Sequence, residues 1–141
     1  MSRILYVEDD AHLRRDVIAL LARAGFEATG ASNGREGLDL CLRAPPDLVI
    51  TDLIMPEMDG IELIRGLREK LPAIPVIAVS GGLSSGPGSA RPILNAAKAL
   101  GAAAVLSKPF RADDLCRAIR RVLKRDIGAP CASPTPDPLP A

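Results

Sequence analysis

The sequence predicts a doubly wound α/β fold: a five-stranded parallel sheet of order 2-1-3-4-5, covered on both faces by helices. Three observations carry that expectation. Five short apolar runs alternate with five stretches of helical periodicity, the pattern of repeated strand-crossover-strand units. Leu48, Val49, Ile50 and Val76, Ile77, Ala78, Val79 are continuous apolar runs, as strands buried on both faces require. The first, third, fourth and fifth runs lead into the polar groups Glu8-Asp9, Asp52, Ser80 and Lys108, and the second, expected at the edge in that order, lies away from the point where strand order reverses. Right-handed crossovers complete the winding.

Residues 3–7 form the first strand and run directly into Glu8, Asp9 and Asp10. Leu13, Val17, Leu20, Leu21 and Ala24 recur at helical spacing with Arg14, Arg15 and Arg23 off the stripe, and Gly25 is placed to terminate that helix. Residues 26–30 make a weaker second strand. Asn33 with Glu36 opens the second helix, Leu38, Cys41 and Leu42 share one of its faces, and Pro45-Pro46 ends it. The third strand stops at Thr51-Asp52. Met55-Pro56 forbids regular continuation, and Asp59 followed by Glu62 begins a third helix striped by Ile61, Ile64, Leu67 and Leu71.

Pro72 and Pro75 mark the connection to the fourth strand, which ends at Ser80. Residues 81–91, rich in Gly, Ser and Pro, read as a mobile surface loop. Pro92 suits a first helical position, and Ile93, Ala97 and Leu100 stripe the fourth helix. Residues 103–106 form the fifth strand, followed by Ser107-Lys108-Pro109-Phe110. The last helix turns Leu115, Ala118, Ile119, Val122 and Leu123 inward, while Arg120, Arg121, Lys124 and Arg125 suit its negative dipole end. Five of the 13 prolines fall in the last dozen residues. Residues 1–125 therefore read as one domain and residues 126–141 as a disordered tail.

Bulk properties narrow the function. The 141 residues suffice for one domain with a real core. With 18 basic and 17 acidic residues, the net charge of +1 gives no electrostatic case for nucleic acid or membrane partners. Aromatic residues are 2% of the chain, which argues against base-stacking platforms. Three cysteines without metal-type spacing, no membrane-length apolar run and no signal-peptide pattern predict a cytoplasmic protein with free thiols.

In such a sheet, ligands bind beyond the carboxyl ends of the strands at the switch point. Glu8, Asp9, Asp52, Ser80 and Lys108 should therefore share one crevice. Crowded carboxylates repel one another and call for a hard divalent cation, and oxygen donors suit Mg²⁺ better than zinc. A carboxylate is also a competent nucleophile toward an activated phosphoryl group. Asp52, between the acidic pair and the Ser80–Lys108 donor pair, is the expected acceptor, with the two donors on the phosphoryl oxygens.

Four pieces, ILYVEDD, DLVITDLIMPEMDG, VIAVS and LSKPF, stand in register at strand ends over residues 1–125. In them the chain resembles response-regulator receiver domains, the CheY-like group of the flavodoxin-type winding. The resemblance implies Mg²⁺ held by Glu8, Asp9, Asp52 and the backbone carbonyl of Ile54, and a cis Lys108-Pro109 bond. It implies phosphate from a histidine kinase, transfer to Asp52 and later hydrolysis catalysed by the domain itself. It also implies a switch in which Ser80 is drawn toward the phosphoryl group and the fourth helix, fifth strand and fifth helix form the output face. The chain departs from the pattern at Val105, where an aromatic often reports that movement. Ile54 and Gly82 stand where hydrolysis is tuned and cannot orient a water, so a long-lived phosphorylated state is expected.

Blander roles suit other residues. Asp10 reads as a helix cap, His12 as solvated, Cys41 as core packing, and the basic run from Arg117 to Arg125 as a solvated face. The expected function is a phosphorylation-dependent switch that signals by protein contact, with no effector domain after Arg125. The alternative is a phosphorelay intermediate passing phosphate to a histidine phosphotransfer protein. A flavodoxin-like cofactor binder fails because a flavin phosphate wants amide donors after the first strand, where this chain has three acids. A phosphatase with an external substrate fails because Ile54 cannot be the general acid.

Overall fold

The computed structural model describes residues 2–53, 59–80 and 91–127. Its strands are β1 (Arg3–Val7), β2 (Glu27–Ala31), β3 (Leu48–Asp52), β4 (Val76–Ser80) and β5 (Ala104–Ser107). Its helices are α1 (Ala11–Arg23), α2 (Gly34–Arg43), α3 (Gly60–Lys70), α4 (Arg91–Ala99) and α5 (Ala112–Ile127). All strand pairs are parallel in the expected order β2-β1-β3-β4-β5.

Strand alternation sorts the core into two layers. Leu5, Val7, Val49, Val76 and Ala78 point to the side of α2, α3 and α4, where Cys41, Leu63, Ile64, Leu67 and Ala97 meet them. Ile4, Tyr6, Leu48, Ile50, Ile77 and Val79 point to the other side, against Val17 and Leu21 of α1 and Leu115, Ile119 and Val122 of α5. Residues of β3 and β4 are buried throughout, whereas β2 and β5 at the edges are partly exposed. Continuous apolar strands thus lie in the middle and weaker ones at the rim.

Local chemistry starts the helices where expected. Asp10 accepts from the N–H groups of His12 and Leu13, Asn33 from that of Glu36, and Asp59 from that of Glu62, each satisfying an otherwise orphaned donor. The Glu36 carboxylate reaches back to the N–H and hydroxyl of Ser32. Gly25, at φ 99°, follows the C-cap of α1 in a conformation that only glycine adopts without strain.

Several expectations need correction. Leu42 is 46% exposed, because the sheet meets α2 along Gly34, Gly37 and Cys41, and position 42 lies about 100° further round the helix. Strands β2 and β5 are each set one residue later than their apolar runs, since pairing with β1 and β4 fixes their limits. Helix α4 begins at Arg91, one residue before Pro92, and α5 continues to Ile127, past the boundary placed at residue 125. The turn at Met55-Pro56, the loop at 81–90 and the tail beyond Ile127 lie outside the described residues.

Candidate functional site

Parallel register brings the carboxyl ends of the strands level. Val7 pairs with Thr51, Asp52 with Val79, and Ser80 with Ser107. Glu8, Asp52, Ser80 and Lys108 therefore emerge along one rim of the sheet, and the Lys108 N–H donates to the Ser80 carbonyl at 2.8 Å.

Asp52 is the last residue of β3 and is 6% exposed. Its Oδ2 accepts from Lys108 Nζ at 3.3 Å, and its Oδ1 is buried with no hydrogen-bond partner among the described residues. Glu8, 1% exposed, accepts from the same ammonium at 2.9 Å through Oε1. The lysine is thus clamped between carboxylates from β1 and β3. Ser80 is fully buried at the end of β4, and its hydroxyl also lacks a partner among the described residues. Two buried polar atoms are therefore left to meet something else, as a site for a ligand requires. The Lys108-Pro109 bond is cis.

Glu8, Asp9 and Asp52 each present one carboxylate oxygen, and these lie within 4.8 Å of one another. An all-oxygen set with a buried Asp52 Oδ1 that is unpartnered among the described residues fits a hard divalent cation of the Mg²⁺ class. The Ile54 carbonyl and Gly82 lie outside the described residues.

Burial raises the Glu8 carboxyl above its ordinary pKa, and the neighbouring Asp52 charge adds to this while the hydrogen bond from Lys108 opposes it. Burial pulls Lys108 down, but Glu8 and Asp52 outweigh it, so the ammonium is held charged above its usual range. Burial alone pushes the Cys41 thiol up to about 11, leaving it a packed, unreactive group as its place on α2 suggested. His12 is exposed.

Two contributors were not read from the sequence. Tyr6, fully buried in β1, donates its hydroxyl to Glu8 Oε1 at 3.2 Å. Its spacing of two from Glu8, on the same strand face, is the signal that could have found it. Arg14 donates from Nη1 to the Glu8 carbonyl at 2.7 Å, tying α1 to the end of β1. It lies one turn beyond the Asp10 cap, and nothing in the apolar stripe marks it.

Comparisons with known proteins place the chain in a family. The family model for the response regulator receiver domain matches residues 4–120. The response regulator receiver protein CpdR of Brucella abortus is 37% identical over 125 residues, which are 87% of this chain and 98% of that protein. The chemotaxis protein CheY of Thermotoga maritima is 33% identical over 124 residues, again 87% of this chain and 98% of the relative. A solved response regulator receiver domain protein from Clostridium thermocellum has a TM-score of 0.82 at 29% identity, covering 90% of this chain and 98% of that one.

Proposed function

Since the chain belongs to the response regulator receiver family of two-component signalling, we propose that Asp52 accepts a phosphoryl group and that the phosphorylated domain signals by contact with a downstream protein. The donor is a phosphohistidine of a histidine kinase or a histidine phosphotransfer protein. The observation that carries this reading is Asp52 itself, a buried strand-end carboxylate with one oxygen on Lys108 and the other without a partner among the described residues.

An Asp52 oxygen attacks phosphorus in line with the phosphorus–nitrogen bond of the donor; that bond breaks, and its electron pair leaves with the imidazole. Lys108, already 3.3 Å from Asp52, supplies a fixed positive charge to the transferred phosphoryl oxygens. Ser80, whose hydroxyl is buried, donates a hydrogen bond to one of them. Glu8, Asp9, Asp52 and, as the resemblance implies, the Ile54 carbonyl would hold Mg²⁺, which would supply neutralisation of the phosphoryl charge when bound. Movement of Ser80 toward the new group is the step that biases the face of α4, β5 and α5. Val105, half-buried on β5, offers no aromatic ring for that relay.

The receiver unit extends through the end of α5. A cytoplasmic setting suits a partner of a kinase, and no helix among the described residues is long and apolar enough to cross a membrane. Incubation with a small acyl phosphate and Mg²⁺, read by intact mass, tests the core of this reading. One phosphoryl adduct is expected on the wild type, dependent on Mg²⁺, and none on Asp52→Asn. An equal adduct on the variant, or none on the wild type, overturns it. With Ile54 and Gly82 beside the acceptor and beyond the hydroxyl, the adduct should outlast donor removal by far more than seconds; decay within seconds would count against that assignment.

A further inference from the structure

We propose that Tyr6 is a positioning residue of this site: its hydroxyl fixes the Glu8 carboxylate, so that Glu8 stays aimed at both Lys108 and the cation position it shares with Asp9 and Asp52. The inference rests on the proposed function and assigns a further residue to it. Tyr6 is fully buried, with Glu8 as its hydroxyl's acceptor. Glu8 Oε1 accepts both from that hydroxyl at 3.2 Å and from Lys108 Nζ at 2.9 Å, while Oε2 accepts from the Asp10 N–H at 3.2 Å. Three donors therefore hold a carboxylate with about four acceptor positions, which fixes its orientation and leaves one position toward Asp9 and Asp52.

The arrangement has a consequence during transfer. When Lys108 turns toward phosphoryl oxygens it must loosen from Glu8, and a buried carboxylate stripped of its donors would pull it back. The Tyr6 hydroxyl and the Asp10 N–H remain, so Glu8 stays satisfied and oriented while the lysine moves. Groups that orient a metal site from outside govern affinity without touching the ion.

The chain contains one tyrosine and no tryptophan, so near-ultraviolet emission reports on Tyr6 alone. In the full chain, Tyr6→Phe should weaken Mg²⁺ binding, measured by calorimetry, about tenfold while far-ultraviolet circular dichroism stays native. In a Glu8→Gln background the same substitution should add little, because the hydroxyl acts through Glu8. Wild-type emission should change saturably with Mg²⁺ at the calorimetric midpoint. Unchanged affinity in a folded Tyr6→Phe chain, or fully additive effects with Glu8→Gln, overturns the positioning role. Should Tyr6→Phe not fold, wild-type emission that ignores saturating Mg²⁺ overturns it equally. A wild type that binds no Mg²⁺ instead defeats the proposed function and takes this inference with it.

Discussion

Glu8 lies at the end of β1 with almost no exposure, and its charge is tolerated because Lys108, Tyr6 and the Asp10 N–H all donate to it. Burial nevertheless dominates and raises its pKa above the ordinary glutamate value. A carboxyl raised on folding contributes stability that is fully present below its unfolded pKa and is lost as pH rises through the folded one. Without divalent cations, the melting temperature of Glu8→Gln minus that of the wild type should therefore increase from pH 5 to pH 8. A difference that shrinks over that range would show that Lys108 outweighs burial. The carboxylates and the lysine were legible as residues because each ends a strand in a polar group. Tyr6 and Arg14 were not, because an apolar run and an off-stripe position hide a hydroxyl and a guanidinium whose partners only the packed chain defines.

At the scale of elements, the approach of α3 to the end of β3 is the tightest constraint on the acceptor. Gly60 opens α3 with its N–H on the Leu53 carbonyl at 3.1 Å. A Cβ added there would lie 2.7 Å from Leu53 Cα and closer still to the Asp52 carbonyl, both backbone atoms that cannot swing aside. Gly60→Ala should cost about 1–3 kcal/mol, read by urea denaturation, and slow phosphorylation of Asp52 because the strand end must shift. Native stability with an unaltered rate would show that α3 can retreat freely. Asp59 followed by Glu62 marks the helix start in the sequence, and that local chemistry is what the structure uses. The glycine's second role, giving room to Asp52, follows only from how closely helix and strand are packed.

At the scale of the whole molecule, the acidic crevice and the folded state are linked. Only the folded chain brings Glu8, Asp9 and Asp52 within 4.8 Å, so a cation that binds there must stabilise the fold. Mg²⁺ at about 100 times its Kd should add about 2.7 kcal/mol to the unfolding free energy of the wild type. Thermal melting with and without Mg²⁺ checks this, and the gain should be largely lost in Asp52→Ala. An equal gain in that variant would place the cation elsewhere. The sequence by itself determined the winding, the order of elements and the polar residue at each strand end, since periodicity, capping and apolar runs act over a few neighbouring residues. Tertiary structure alone decided that Lys108 meets Glu8 across 100 residues of chain, that Tyr6 stands behind Glu8, and that Leu42 faces outward. The physical reason is that periodicity assigns a residue to a face, whereas its partner on that face depends on strand register and on which helices cover the sheet.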